Sequence, residues 1–283
     1  WYRSIMWKLK LAVERRGYYP LGPMRLTSGD FLGLYSRSRL DGNTTHLIVY
    51  PHIFPVDTRM IPSLHPMGEF QAARRLFRDP THTIGVREYL QGDSLKFIHW
   101  KATARRGDLQ VKVLAATSAF KVALFLDVDS FRSDGALAEA DFELGISTAG
   151  SIATMLCERG SPVGLFINTC LADTGQPAVI APGAGRGRIV EILETLAKVT
   201  GRSSGAAAAF LDAQKCRLAA GTTLIFLAAR PADGGADRLI DLKSNGFKVL
   251  VLLVGEQADP GLPPGILCHR VRRPDDLAGG AQP

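Results

Sequence analysis

Long apolar runs are missing from this chain of 283 residues. None approaches the roughly 18 residues that a membrane-crossing helix needs. Cysteine is scarce, with four residues at Cys157, Cys170, Cys216 and Cys268. None stands in C-x-x-C spacing, and no histidine lies at zinc-finger distance from a pair. That argues against a disulfide framework and for reduced structural thiols in a cytosolic setting. A signal-peptide layout is also missing, since Trp1-Tyr2-Arg3 leads into alternating Lys and Leu. The first residue is not Met, so the chain is read as a piece of something longer. No internal repeat is visible.

What is present is ordinary globular composition, 46% hydrophobic and 22% charged. The net charge of +7 is unevenly placed. Residues 1–120 hold 18 Lys and Arg against 9 Asp and Glu, and the remainder is slightly acidic. A basic first part suits an anionic partner such as nucleic acid, a lipid surface or an acidic protein. It equally suits a solvated face.

The first part reads as β. Lys8 to Glu14 alternates with period two, Arg15-Arg16-Gly17 turns, and Tyr18 to Leu26 returns. Phe31 to Leu40 and His46 to Tyr50 read as further strands, and Pro51, Pro55, Pro62 and Pro66 punctuate a long irregular connection. The expectation is a small antiparallel, β-sandwich-like part over residues 1–80. From Lys121 the pattern changes to α/β. Lys121 to Asp127, Pro162 to Asn168, Thr222 to Ala228 and Phe247 to Val254 read as buried parallel strands. Ala138 to Arg159, Arg188 to Val199, Ala206 to Ala219 and Ala236 to Ser244 read as helices. This predicts a doubly wound, mainly parallel domain over 121–275, with a flexible tail at 276–283. Pro182 to Arg188 is glycine-rich but lacks the Lys-Ser/Thr ending of a P-loop, and reads as a loop.

Between the two parts, 81–120, lies the stretch with the most chemistry. Arg87, Glu88, Asp93, His99, Trp100, Lys101 and Arg105 are gathered there among glycines. Asp93 or Ser94 is expected to cap a helix ending near Gly107. Measured from Phe97, Lys101 and Arg105 fall at about 40° and 80° on the helical wheel. Both cations then share the apolar arc, where they need acids. The readings are an ionic clamp between the two parts, an anion site of Arg87, His99, Lys101 and Arg105, or a catalytic His99. The clamp is favoured, and Arg105→Ala should then cost stability. No Ser or Cys in an evident nucleophile setting accompanies His99.

These residues resemble the bacterial family called domain of unknown function 58. The resemblance is carried by Arg87-Glu88-Tyr89, Gly92-Asp93, Ile98 to Arg105, Gly107, Leu109 and Val111. Upstream it extends to Arg16-Gly17-Tyr18, Leu21-Gly22-Pro23, Asp30-Phe31-Leu32-Gly33-Leu34 and Val49-Tyr50-Pro51. It implies membrane helices ahead of a β domain, and a C-terminal domain similar to von Willebrand factor type A. It also implies a partner, a MoxR-type AAA+ ATPase, and a place at the cytoplasmic face of the inner membrane. Type A domains commonly hold Mg²⁺ through D-x-S-x-S after the first strand. Here the stretch reads Asp127-Val128-Asp129-Ser130-Phe131, and Phe131 cannot ligate. Arg230 stands where a later acid would be, and Thr200, Ser203 and Ser204 are in no clear register. The expected state is a degenerate site at Asp127, Asp129 and Ser130 without Mg²⁺ or Ca²⁺. Arg230 or a signature cation would then neutralise the acids. The leading functional reading is a non-enzymatic protein-interaction module. The alternatives are a metal- or His-dependent hydrolase, and binding of nucleic acid or anionic lipid. No recognised nucleic-acid motif supports the nucleic-acid reading.

Overall fold

The computed structural model describes residues 6, 8–57, 83–90, 93, 95–114, 121–133, 136–219, 221–230, 235–256 and 265–278. The chain forms two compact units. One joins residues 1–61 to 121–283, and the other is 62–120. Residues 1–61, read from sequence as part of a separate domain over 1–80, thus fall into one unit with the α/β part.

The first unit begins with β1 (Gly17–Leu21), β2 (Met24–Gly29), β3 (Ser36–Asp41) and β4 (Thr45–Val49). β1 pairs antiparallel with β4, and β2 with β3. Leu21 faces Thr45 and Met24 faces Asp41, so two residues on one side oppose three on the other. Gly22 sits at this step with φ of 121°, and a Cβ there would fall 2.6 Å from the Asn43 carbonyl oxygen. Among the described residues this part is one long interrupted ribbon rather than two packed sheets. Lys8 to Glu14, expected as a strand, is exposed and pairs with no strand among the described residues. Alternation describes one strand's faces and does not provide a partner.

The other unit holds β5 (Thr83–Glu88), α1 (Trp100–Arg106) and β6 (Gln110–Leu114). The first unit then resumes with β7 (Val122–Leu126), β8 (Arg132–Ser133), β9 (Ala136–Leu137), α2 (Glu139–Glu158) and β10 (Val163–Leu171). It continues through β11 (Pro177–Gly183), α3 (Arg186–Lys198), β12 (Val199–Ser203), α4 (Ala207–Lys215) and β13 (Thr223–Ala228). It ends with α5 (Gly235–Ser244), β14 (Lys248–Val254), β15 (Leu267–Val271) and α6 (Pro274–Leu277).

The main sheet has the order β11-β10-β7-β13-β14-β15, with β12 also paired to β10. β10, β7, β13, β14 and β15 run parallel, and β11 and β12 run antiparallel to β10. The strand order reverses between β7 and β13, the topological position at which open α/β sheets place their ligands. All five residues of β7 are buried, as the apolar run predicts. One face carries Phe125, Phe166, Phe226 and Leu224 against α4 and α5, with Phe125 and Phe166 stacked at 4.7 Å.

The other face is covered by α2 and α3. α2 is buried almost all round between Gly145 and Ala153, which explains its run of Gly, Ala, Ser and Thr. A Cβ on Gly145 would lie 2.8 Å from the Phe131 ring, and one on Gly150 3.0 Å from Ile53. Ser151 accepts the Phe54 N–H at 2.9 Å and donates to the Ser147 carbonyl, so the chain after β4 is laced onto α2. None of the four cysteines forms a disulfide.

Arg16 fastens the base of the ribbon to this layer. Its side chain is 6% exposed and pairs with Glu143 at 2.9 Å. Its Nη1 donates to the carbonyls of Leu196 at 2.7 Å and Val199 at 3.0 Å, and the guanidinium lies over Phe142. Truncation would orphan two carbonyls at the end of α3. Arg16→Ala is expected to lower stability by roughly 2–3 kcal/mol in urea unfolding. Arg16→Lys should recover under half of that, because an ammonium cannot span the same acceptors.

Candidate functional site

The signature residues build a self-closed unit. β5 and β6 pair antiparallel, with Glu88 opposite Gln110 and Arg87 opposite Val111. Arg87 forks onto Asp93, with both nitrogen–oxygen distances 2.7 Å. The Asp93 hydrogen bonds raise the Arg87 pKa further above its ordinary value. The same carboxylate accepts the Leu90 N–H at 2.9 Å. Arg87 also donates to the carbonyl of Glu88, whose own side chain faces solvent. Arg87 and Asp93 thus tie the two ends of the turn after β5, which is why a cation and an acid stand six residues apart.

His99 rather than Asp93 or Ser94 caps α1, its Nδ1 accepting the Ala102 N–H at 3.0 Å. Thr103 Oγ1 accepts the Gln110 N–H at 3.0 Å, tying α1 to β6. Gly107 closes the helix with φ of 82°, donating its N–H to the Thr103 carbonyl. Ile98 and Val111 are buried and bridge to one another.

The helical-wheel expectation for Lys101 and Arg105 is corrected by this geometry. α1 begins at Trp100, while Phe97 lies in a 3-10 turn and Ile98 in the β-bridge. A wheel started at Phe97 therefore has the wrong phase. α1 has no buried residue, and Lys101 and Arg105 are exposed. Trp100 is 67% exposed at the start of the same helix. Arg87 is taken by Asp93 and the His99 Nδ1 is an acceptor, so the four-residue anion site is not assembled in this unit. The catalytic reading of His99 gives way to a capping role.

The second candidate lies beyond β7. Asp127 is 1% exposed. Its Oδ1 accepts the Asn168 Nδ2 at 2.7 Å and the Asp129 N–H at 3.1 Å. Its Oδ2 is buried and has no hydrogen-bond partner among the described residues. Burial raises the Asp127 pKa, against the lowering effect of the Asn168 hydrogen bond. Asn168, at the end of the apolar stretch of β10, also accepts the Val128 N–H at 2.7 Å. Sequence reading misses Asn168, although it ends an apolar strand run as Asp127 does.

The residues here do not fit a divalent cation. The orphaned Asp127 oxygen would suit one, but the set around it would not. Ser130 Oγ donates to the Asp127 carbonyl at 2.7 Å and accepts the Ala229 N–H at 3.0 Å. Asp129 is exposed, and Phe131 is buried and has no oxygen to offer. Ser203 bonds within its own loop to Gly205, and the Ser204 N–H donates to the Asn168 carbonyl. The Thr200 carbonyl accepts from Thr169. Among the described residues no three His, Cys, Asp or Glu come together as ligands. Arg230 does not pair with Asp127 or Asp129 as expected. It donates instead to the carbonyls of Ser130 and Arg132.

Residues 85–265, which include both candidate sites, match the family described as Protein of unknown function DUF58. That is more than half of the chain, and the chain belongs to this family. It is similar to the Uncharacterized protein YeaD of Bacillus subtilis, 27% identical over 164 residues. The match takes in 58% of this chain and 39% of that relative, so the chain spans well under half of the relative's length. Among solved structures it is similar to an aerotolerance-related membrane protein from Bacteroides fragilis, at 15% identity and a TM-score of 0.32. That likeness covers 51% of this chain and 72% of the other. Among the described residues no helix is long and apolar enough to cross a membrane.

These contacts set the expected cost of two substitutions. His99→Ala should cost about 1 kcal/mol through loss of the cap. Arg105→Ala should stay within about 0.5 kcal/mol of the parent. Urea unfolding of both variants checks the pair.

The pH dependence of Asp127 has a definite sign. Its folded pKa is raised, so its contribution to stability is fully present below the unfolded value of about 3.9 and is lost as pH climbs through the folded value. Asp127→Asn keeps an acceptor for Asn168 and carries no charge. Its urea midpoint is expected to fall less than the parent's between about pH 4 and pH 8. An equally steep fall would remove Asp127 as the cause.

Proposed function

We propose that this chain is a non-enzymatic protein-interaction module, part of a membrane-anchored protein at the cytoplasmic face of the inner membrane. Its partner in this reading is a MoxR-type AAA+ ATPase, with which it assembles or matures other proteins. The observation that carries it is the exposed arc of α1. Arg87, Asp93, His99, Thr103 and Gly107 are each engaged in closing the signature unit. Trp100, Lys101 and Arg105 are left facing solvent on neighbouring turns of one short helix. An exposed Trp flanked by Lys and Arg has the composition of an interface anchor rather than of a folding device.

The α/β unit is, in the same reading, of von Willebrand factor type A character without a working metal site. Its support is the strand order, the antiparallel edge strand β11 and an acid at the carboxyl end of the first strand, β7. Such a domain binds through the carboxyl end of its sheet, here without a bridging cation.

The test is crosslinking and affinity capture with the full-length protein, followed by titration against the purified MoxR-type ATPase of the same organism. Trp100→Ala should weaken binding at least about tenfold, and Lys101→Glu with Arg105→Glu should do likewise. The folding midpoint should stay unchanged. Failure to recover the ATPase, or unaltered affinity in all three substitutions, would contradict the proposal.

A further inference from the structure

The ribbon of β2 and β3 is unlike the rest of the molecule. Every residue from Met24 to Leu40 is exposed. The turn that joins the strands is nevertheless well built. The Asp30 N–H donates to the Tyr35 carbonyl at 3.0 Å, and the Asp30 carboxylate accepts the Tyr35 N–H at 2.9 Å. The Gly33 N–H donates to the Asp30 carbonyl at 3.2 Å, and Gly33 has φ of 70°. Thr27 and Ser38 join hydroxyls across the strands at 3.1 Å. This bracing does not bury the side chains it carries. Phe31 is 96% exposed, Leu32 64%, Leu34 83% and Tyr35 67%. Four large apolar groups are held at the end of a ribbon, where each would otherwise be expected to find cover.

The stem differs from the tip. Arg25 lies opposite Leu40, and Leu26 opposite Arg39, so apolar and cationic residues share both faces. Neither face is a continuous apolar stripe of the kind a protein groove takes. Four large apolar side chains cluster at the tip, while behind it Arg25, Arg37 and Arg39 are exposed together with Met24, Leu26 and Leu40. None of the three makes an ion pair with a described residue. Arg37 stands two residues from Tyr35, roughly 7 Å along the strand. That separation matches the ~5–10 Å to which interfacial apolar groups enter a bilayer while cations stay among headgroups.

We propose that the β2–β3 ribbon is a lipid-contacting hairpin. Phe31, Leu32 and Leu34 enter the acyl boundary of an anionic membrane, Tyr35 sits at the interface, and Arg25, Arg37 and Arg39 pair with phosphate headgroups. The ribbon would orient the protein on the membrane, a role separate from partner binding through α1. The charge complementarity lies between three unpaired arginines and anionic lipid, and the step from the apolar tip to Arg37 follows the depth profile of a bilayer.

The experiment uses the 283-residue chain and sedimentation with vesicles of equal phosphatidylcholine and phosphatidylserine, with pure phosphatidylcholine vesicles as the reference. Binding is expected to the anionic vesicles and to be at least tenfold weaker on the neutral ones. Phe31→Asp with Leu34→Asp should abolish it. Each of Arg37→Gln and Arg39→Gln should weaken it roughly fivefold at low salt. Because the altered side chains are exposed, the unfolding midpoints should not move. In a Phe31→Trp variant the emission should shift to the blue on anionic vesicles and be quenched by brominated acyl chains. The proposal is overturned if the tip variant binds as well as the parent, or if the chain ignores anionic vesicles. It is equally overturned if the tip substitutions abolish only a concentration-dependent self-association, which would make the ribbon a contact between copies.

Discussion

Burial of β7 on both faces, with parallel partners on both edges, is the constraint from which the larger unit follows. A strand so placed has to be apolar throughout, and Val122 to Leu126 is. It requires helices on each side, one layer built by α2 and α3 and the other by α4 and α5. It also creates a difficulty at its carboxyl end, where backbone groups leave the ladder while still enclosed. Asp127, Asn168 and Ser130 resolve it by taking up the N–H groups of Val128, Asp129 and Ala229. In that arrangement the polar cluster completes the sheet, and the cost is one buried carboxylate oxygen without a partner among the described residues.

The parts of the fold that are legible in sequence are those governed by this constraint. β7 is an unbroken apolar run, β13 and β14 are so after Thr223 and Lys248, and Gly160 follows α2 in the left-handed region. The strands that sequence does not reveal lie toward the edges. β11 carries Pro177, Pro182 and Gly183, which an edge strand tolerates and a sequence reading assigns to a loop. β12 follows α3 without any linker, so the change of period has no punctuation. Lys8 to Glu14 shows the opposite failure, a correct period without a strand to pair with.

The signature stretch is recognisable in sequence but its roles are not. The types of residue suggest catalysis, and the ionic clamp follows only while the helical spacing is counted from Phe97, which lies before the helix. Once His99 is the cap, Lys101 and Arg105 turn outward with Trp100. The chemistry that identifies the family then divides into two sets, one satisfied within the fold and one left on its surface. The same division recurs in the ribbon, where Asp30 and Gly33 build a turn whose apolar side chains face solvent. Both places put ordered backbone beneath exposed side chains, and it is on this arrangement that the two proposals rest.

The most direct measurement is amide hydrogen exchange of the intact chain at Leu90, Ala102, Gly107 and Gln110. These four N–H groups are held by Asp93, His99, the Thr103 carbonyl and the Thr103 hydroxyl respectively. Slow exchange is expected at all four, with Asp93→Ala releasing Leu90 and Thr103→Val releasing Gln110. Rapid exchange at these sites in the parent chain would show that the signature residues are not engaged in structure, and the division between scaffold and surface would fall with it.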